Sequence, residues 1–292
     1  MARDWTVVDS NLRLSPRVFQ ELLDGGQSFS WDAVGERAYA GVAGGHAWQI
    51  RLSDSGQIEA HSPTGGEALW IQRYFGAEKD FAALTDALPW RSDPVLRSAF
   101  AAFPGLRILR QEAGETLLGF ICSSTKQIVQ IKDILRRLAR RFGRPLADGF
   151  HAVPTWADLA AINEGDLREE KMGYRARFIC ETAEILAGAP DYLDGLADLP
   201  FTEAKARLLA LPGVGEKIAD CVLLFGAGRL EAFPVDTWIA KILREAYRLP
   251  DWSTDALRRF GEIHFGEAAG LAQQFLFAYA RAEAGAGKAV SG

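Results

Sequence analysis

The stretch Leu211-Pro-Gly-Val-Gly-Glu-Lys-Ile-Ala-Asp-Cys221 decides how this chain folds. Its proline cannot continue a helix and its glycines permit positive φ or close backbone approach, so residues 211–215 predict a tight turn. Residues 216–225 then predict a helix from their apolar spacing. The N-terminus of such a helix offers unpaired N–H groups and a positive dipole end to an anion. The stretch therefore predicts a hairpin between two helices that binds a phosphate.

Two ionisable residues accompany this hairpin. Lys217 opens the second helix, and Asp236 follows in Phe-Pro-Val-Asp-Thr, 15 residues past Cys221. A lysine can act as a nucleophile only in its neutral amine form, whereas an ordinary lysine (pKa about 10.4) is protonated at pH 7. We expect desolvation under a bound ligand and the helix dipole to favour the neutral form. Asp236 is expected to cap a helix and, as a fixed carboxylate, to stabilise a growing positive charge.

The composition is that of an ordered globular protein. The 292 residues are 48% hydrophobic and 24% charged. No apolar run approaches the roughly 20 residues that span a bilayer, and the first residues lack the apolar stretch of a signal peptide. The three cysteines are widely spaced, which suits a reducing compartment, and they are too few for a four-thiolate iron–sulfur cluster. We expect a cytoplasmic protein with no membrane partner.

The charge balance is a mild argument against binding to nucleic acid. The net charge is −5, whereas nucleic-acid proteins usually carry a basic excess. Arginines are nevertheless concentrated within residues 136–144. This cluster predicts either a phosphate-binding patch or a solvated helix face, and the second interpretation is favoured.

The pattern of apolar residues changes along the chain. Residues 1–113 mix strand-like runs, such as 46–52, with Gly-rich turns and two helical stretches. Helical spacing dominates afterwards, with residues 284–292 as a frayed tail. The predicted helical stretches are 15–23, 67–74, 117–138, 156–162, 164–172, 174–187, 202–209, 216–225, 236–247 and 254 onward. We predict an α+β fold, in which an N-terminal antiparallel β-sheet domain with helices (1–113) packs on an all-α domain (114–292), and an active site between them.

A hairpin that contains a lysine, with Pro-Val-Asp downstream, resembles the helix-hairpin-helix DNA glycosylases that are also lyases. Four further segments resemble the 8-oxoguanine DNA glycosylase family, and they follow in order over nearly the whole chain: Gly25–Trp31, Leu118–Ser124, Gly173–Phe178 and Ala272–Phe277. The resemblance implies that Lys217 and Asp236 are a catalytic pair which excises 8-oxoguanine from double-stranded DNA and then cleaves the strand. It implies no cofactor, although related hairpins often hold a structural cation, here at residues 211–215.

The resemblance also implies a pocket for the flipped base. The Gly26 carbonyl would accept from N7–H of 8-oxoguanine, Gln273 would read the Watson–Crick edge, and Phe277 and Cys221 would cover the two faces. The implied DNA-binding residues are Thr125, Gln130, Tyr174, Arg175, Gly213, Gly215 and Trp238. Of these, Tyr174 is expected to wedge into the base stack and Arg175 to contact the orphaned cytosine.

The chain departs from the family pattern after Ser124. Asparagines and an arginine of the family are replaced by Thr125, Lys126, Gln127 and Gln130, and Trp238 stands where a histidine is usual. A weak preference for the base opposite the lesion is therefore expected.

Two other functions are open. A monofunctional alkylated-base glycosylase would activate water with the aspartate and would not need Lys217. A non-catalytic helix-hairpin-helix DNA-binding module would leave Asp236 and the Gly26 segment without a role. We expect the protein to be a monomer, at the nucleoid if the source is bacterial and in the nucleus if it is eukaryotic.

Overall fold

Five antiparallel strands form one sheet near the N-terminus in a computed structural model, which describes residues 4–289. The spatial order is β1-β5-β4-β3-β2. The strands are β1 Thr6–Val7, β2 Trp31–Gly35, β3 Ala38–Ala43, β4 His46–Leu52 and β5 Ile58–His61. Strands β3 and β4 pair from Ala38↔Arg51 to Ala43↔His46 around Gly44 and Gly45, whose φ angles are +59° and +73°. The predicted antiparallel sheet with Gly-rich turns is confirmed.

Helices make up most of the remaining chain. They are α1 Pro16–Asp24, α2 Ala68–Tyr74, α3 Phe81–Ala87, α4 Pro94–Ala102, α5 Ala113–Ser123, α6 Ile128–Phe142, α7 Trp156–Ala160, α8 Glu164–Leu167, α9 Arg175–Gly188, α10 Phe201–Leu209, α11 Glu216–Cys221, α12 Thr237–Glu245, α13 Thr254–Phe265 and α14 Ala269–Ala289. Among the described helices, none is both long and apolar enough to cross a membrane.

The sheet and the helices share one hydrophobic core. In β4, Trp48, Ile50 and Leu52 alternate with more exposed residues, as the period of a strand dictates. Helix α1 begins at Pro16 with a Ser15 cap and buries one apolar face toward the sheet. The two-residue alternation of the strands and the single apolar face of the helices together give an α+β architecture.

Hydrogen bonds join the N-terminal and helical parts directly. Gln111 N donates to Phe225 O at 2.8 Å, and Arg110 Nη1 donates to Gly226 O at 2.6 Å. Lys132 Nζ on α6 lies 2.5 Å from Asp24 Oδ1. Helix α4 also packs against α14. These contacts join the N-terminal and helical parts closely. The division into two domains at residue 113 stays a prediction.

The structure corrects several helix predictions. Helices α3 and α4 were not predicted, although each has an aspartate cap and α4 begins with a proline. The stripe at 117–138 is interrupted at Ser124–Gln127, and the stretch 164–172 stops being helical at Glu170. Gly266, with φ +65°, ends α13, so that α14 is a separate helix. Helix α14 extends to Ala289 through most of the expected frayed tail, whose last residues, 290–292, lie outside the described part.

The arginine cluster on α6 is mostly paired with acidic groups. Arg141 contacts Asp166, Glu169 and Glu170 at 2.7–2.9 Å. Arg136 and Arg137 also contact carboxylates, and Arg144, just after α6, donates to the carbonyl of Gly45 in the β3–β4 turn. The cluster therefore fits a solvated, ion-paired helix face.

Candidate active site

A cavity of about 830 Å³ opens between the N-terminal part and the helical part. Its walls come from the segment after α1, the α5–α6 connection, α11, the N-terminus of α12 and α14. The cavity brings together eight residues that the sequence singled out: Gly26, Thr125, Lys217, Cys221, Asp236, Trp238, Gln273 and Phe277. Gly26 and Phe277, which are 251 positions apart in the sequence, thus line one space.

Lys217 projects into this cavity from the first turn of α11 and is half-buried. Its Nζ donates to Ser123 Oγ at 3.2 Å and lies 4.8 Å from the centroid of the Phe120 ring. The Ser123 hydroxyl donates its own proton to Phe120 O at 2.7 Å. Because the Ser123 hydroxyl proton is already donated to Phe120 O, the Ser123 oxygen acts only as an acceptor toward Lys217 and holds one N–H of the amine. The rest of the amine faces the cavity.

Asp236 is the N-cap of α12 and accepts from Ile239 N at 2.9 Å. Burial raises the pKa of this carboxyl, while the Ile239 N–H and the charge of Lys217 oppose the rise. The two side chains line the same cavity but are not hydrogen-bonded to each other. Asp236 is therefore a fixed carboxylate beside, and not bound to, the amine.

Gly26 presents its backbone to the cavity with φ +104°, a conformation that favours glycine. The neighbouring carbonyls are both occupied: Arg281 Nη1 donates to Gly25 O, and Gln111 Nε2 donates to Gln27 O, each at 2.6 Å. Among the described residues, no protein group donates to the carbonyl of Gly26. This leaves a fixed acceptor available to a ligand.

Three other predicted pocket residues line the same cavity as Gly26. Cys221 is buried, and burial raises the pKa of its thiol to about 12, so it stays neutral. Gln273 is also buried; its Nε2 donates to Pro234 O at 3.1 Å and its Oε1 accepts from Gln274 at 2.7 Å. Phe277 is half-buried. The arrangement combines apolar walls with an amide held in one orientation, which suits a flat heterocycle.

The hairpin has the predicted geometry. Gly213 has φ +75°, and a Cβ there would lie 2.7 Å from the Cβ of Phe178. Thr182 Oγ1 donates to Pro212 O at 3.0 Å, which anchors the turn on α9. Gly215 is the N-cap of α11, and no side chain caps its N–H groups. These N–H groups are available to an anion at the outer surface.

Of the other predicted DNA-binding residues, Thr125 and Trp238 line the cavity, whereas Gln130, Tyr174 and Arg175 do not. Tyr174 is 51% exposed and Gln130 is exposed, but Gln130 caps α6 by accepting from Gln127 N at 3.0 Å. Trp238 lies in the cavity wall on α12. Arg175 is buried and donates to the carbonyl of Ser124, and its contact with cytosine stays a prediction.

Sequence reasoning gave no role to three residues that shape the site. Phe120 and Ser123 lie within a quoted segment, and their spacing places them on the same helix face, but nothing in the sequence shows that they face Lys217. Arg281 lies 5.4 Å from the Phe277 ring while donating to Gly25 O. The i,i+4 spacing of Phe277 and Arg281 is the signal that could have found this contact.

Two family models divide the chain between them. The model described as "8-oxoguanine DNA glycosylase, N-terminal domain" matches residues 11–117, and the model described as "HhH-GPD superfamily base excision DNA repair protein" matches residues 118–262. With the hairpin and the cavity, these matches define the class as helix-hairpin-helix proteins of base excision DNA repair.

Individual relatives narrow the class. The N-glycosylase/DNA lyase OGG1 of Arabidopsis thaliana is 32% identical over 86% of this chain and 74% of its own length. The N-glycosylase/DNA lyase of Saccharomyces cerevisiae is 34% identical over 61% of this chain and 51% of its own length. The crystal structure of Clostridium acetobutylicum 8-oxoguanine glycosylase/lyase with dsDNA containing cytosine opposite 8-oxoG has a TM-score of 0.83 and 30% identity, covering 90% of this chain and 91% of that one. The chain belongs to the 8-oxoguanine DNA glycosylase/lyase family, and the family resemblance found in the sequence is confirmed.

Proposed function

We propose that this protein is a bifunctional DNA glycosylase and lyase that removes 8-oxoguanine from duplex DNA during base excision repair. The observation that carries the proposal is the shared cavity of Lys217 and Asp236, with the amine held by Ser123 and the carboxylate fixed at a helix N-cap. An amine nucleophile beside a carboxylate, next to a pocket for a flat base, suits cleavage of a bond between a base and a sugar.

Base excision begins when the neutral amine of Lys217 attacks C1′ of the damaged nucleotide. The bond from C1′ to the base breaks, and the base leaves with the electron pair and takes up a proton. Positive charge grows on the sugar as the base departs, and the Asp236 carboxylate stabilises it. Because Asp236 is held by the α12 backbone, little reorganisation is needed during this step.

Strand cleavage follows from the covalent intermediate. The sugar ring opens, and the bond between Lys217 and C1′ becomes an imine, a Schiff base. The imine acidifies the proton on C2′; when a base removes it, the electron pair forms the C2′–C3′ double bond and the 3′ phosphate leaves. A lysine at position 217 therefore serves both steps.

Lesion recognition is assigned to the Gly26 carbonyl. In 8-oxoguanine N7 carries a proton and can donate, whereas in guanine N7 presents a lone pair. Arg281 and Gln111 hold the flanking carbonyls, so the backbone cannot easily turn to avoid a mismatch. A buried acceptor left unpaired costs about 1–3 kcal/mol, which is up to roughly a hundredfold in discrimination.

The chemistry needs no cofactor in this proposal. A structural cation at residues 211–215 would be held by hairpin carbonyls; Leu211 O and Pro212 O each accept one protein hydrogen bond and keep a second lone pair. Such a cation would order the phosphate-binding turn and take no part in bond breaking. The protein is proposed to act as a monomer where genomic DNA lies, at the bacterial nucleoid or in a eukaryotic nucleus.

A borohydride trapping experiment tests the proposal. A labelled duplex with one 8-oxoguanine is incubated with the protein, with and without sodium borohydride. The expected results are release of free 8-oxoguanine, a cleaved strand without reductant, and a covalent protein–DNA adduct with it. Base release with no adduct would identify a monofunctional glycosylase, and binding alone would identify a DNA-binding module.

A further inference from the structure

A second cavity lies on the side of α14 that faces away from the candidate active site. Its volume is about 1070 Å³, and its walls come mainly from the segments before α1 and after α2, from α3 and α4, and from residues 104–107. Phe275 on α14 lines this cavity, whereas Gln273 and Phe277 line the candidate active site. Residues two apart on a helix point in nearly opposite directions, so α14 separates the two spaces. We call this second space the back cavity.

Aromatic side chains form one wall of the back cavity. They are Phe81, Trp90, Phe100 and Phe275. The ring centroids of Phe100 and Phe275 lie 4.2 Å apart, and those of Trp90 and Phe100 lie 6.4 Å apart. Trp90 and Phe100 are only half-buried, so part of each ring is open to the surroundings. A flat apolar group packs favourably against such a wall.

A buried arginine lies at the same cavity. Arg107 is 7% exposed, and its guanidinium carbon lies 5.2 Å from the centroid of the Phe81 ring. Its Nη1 donates to Phe75 O at 3.1 Å, while its buried Nε has no partner among the described residues. Burial lowers the pKa of this guanidinium, and the charge of Asp9 opposes the change. A buried cation with an unused donor is costly, and an anion bound to it would offset that cost.

The other basic side chains at the back cavity are also without acidic partners. Within the part of the chain that the structure describes, none of the four basic lining residues lies within ion-pair distance of a carboxylate, and each donates to backbone carbonyls. They are Arg13, Lys79, Arg97 and Arg107. Their charges therefore remain available to an anionic ligand.

The acidic side chains of the same lining are already engaged. Two of them accept from backbone N–H groups, namely Asp9 and Asp80. The other two, Glu78 and Asp86, pair with arginines that do not line the cavity. The back cavity thus offers unpaired positive charge beside an aromatic wall.

We propose that the back cavity is a binding site for a small aromatic carboxylate, separate from the candidate active site. The carboxylate accepts from Arg107, and the ring of the ligand lies against Trp90 and Phe100. The two oxygens of a carboxylate match two N–H groups of one guanidinium. A dianionic phosphate is less suitable, because Asp9 and Asp80 also line the cavity and would repel the second charge. The proposal goes beyond the proposed function, since it concerns a ligand other than DNA.

Isothermal titration of the whole protein with two matched probes tests the proposal. The probes are 2-naphthoate and its neutral analogue 2-naphthamide, which has the same ring system. We expect 2-naphthoate to bind at one site with a dissociation constant below about 1 mM, and 2-naphthamide to bind at least about tenfold more weakly. Equal affinity for the two probes, or no saturable binding of 2-naphthoate below about 1 mM, would overturn the proposal.

A substitution of the buried arginine tests its role. Arg107→Met is expected to weaken 2-naphthoate binding at least about tenfold, because the buried charge is lost. The matched control is Arg259→Met, which removes an exposed arginine on α13 and should bind as the wild type does. An Arg107→Met protein that is folded by circular dichroism and binds 2-naphthoate with unchanged affinity would contradict the assignment.

Two further variants show which cavity holds the probe, and they keep the test valid if Arg107→Met does not fold. Thr85→Trp places a large ring in the back cavity and leaves Arg107 in place, so it is expected to abolish binding of 2-naphthoate. Phe277→Ala alters the candidate active site and should leave the affinity unchanged. Binding that survives Thr85→Trp, or that is lost in Phe277→Ala, would place the probe elsewhere and overturn the proposal.

Discussion

Lys217 Nζ donates to Ser123 Oγ at 3.2 Å, so the amine on α11 is held by the last residue of α5. The contact joins the hairpin to the helix that enters the helical part of the chain. It also orients the amine without pairing it with a carboxylate. This relationship supports the proposed role of Lys217 as a nucleophile and not only as a phosphate-binding residue.

Lys217→Gln is expected to abolish both base release and borohydride trapping, because no other group at this position can form an imine. Binding to a lesion duplex should remain within a few-fold of the wild type. The measurement is a denaturing gel of trapped adduct beside a binding titration. Lys241→Gln, which removes an exposed lysine on α12, is the control and should trap normally. An adduct that persists in the Lys217 variant would place the nucleophile elsewhere.

Asp236→Asn is expected to slow excision by about 10²–10³-fold, the usual loss when one group that stabilises transition-state charge is removed. Asparagine is an equally good N-cap, so the free energy of unfolding should change by less than about 1 kcal/mol. Burial raises the pKa of Asp236, so the active carboxylate forms at a higher pH than an ordinary aspartate. The wild-type rate should therefore rise with pH through this raised pKa, and the variant should lack that rise. Full activity in Asp236→Asn would reduce the residue to a helix cap.

The base opposite the lesion is expected to matter little. Gln130 stands where the family pattern has an arginine, and its side-chain oxygen caps α6, so it presents no bidentate donor pair to cytosine. Single-turnover excision from four duplexes should show only a modest advantage for cytosine, and Gln130→Arg should increase it. A wild-type preference beyond about a hundredfold, roughly 2.7 kcal/mol, would mean that other residues read cytosine.

Stability should fall as the pH rises toward neutrality because of Glu115. Burial raises the pKa of Glu115 from 4.5 to about 7, opposed by an N–H of Gly44 and reinforced by Glu112. The folded protein thus holds this proton more tightly than the unfolded chain does, and the stabilisation present below pH 4.5 is lost on the way to pH 7. Glu115→Gln should remove this dependence, which amounts to about 3 kcal/mol at most. Urea unfolding at pH 5 and pH 8 measures it, with the exposed Glu36→Gln as control; equal slopes in wild type and Glu115→Gln would contradict the assignment.

Lys205 on α10 is expected to stabilise the hairpin through buried charge. Its Nζ lies 2.7 Å from Asp220 Oδ1 and 2.8 Å from Glu216 Oε2, both on α11, and Asp220 is fully buried. Lys205→Met removes this partner and should lower the free energy of unfolding by about 3–5 kcal/mol. Adding Asp220→Asn should recover much of the loss. Chemical denaturation is the measurement, and Arg73→Met, which breaks an exposed pair with Glu78, should cost about 1 kcal/mol or less.

The sequence by itself determined the features that depend on near neighbours along the chain. The turn at Gly213, the helix that Lys217 opens and the Asp236 cap follow from the conformations allowed to proline and glycine and from bonds that span three residues. The alternation in β4 likewise predicted a strand. The order of the quoted segments indicated the family, and with it the pair Lys217 and Asp236.

Only the tertiary structure decided which groups are free and which are occupied. The Gly26 carbonyl has no donor among the described residues, while Arg281 and Gln111, from distant elements, bind the carbonyls on either side of it. Arg175 is buried because a loop 50 residues earlier supplies its acceptors, which no local spacing reveals. A donor or acceptor could bond to any of several partners in the chain. Long-range packing decides which of these partners lies within bonding distance. The sequence therefore indicated which residues are proposed to react, and the packing decided how each of them is held.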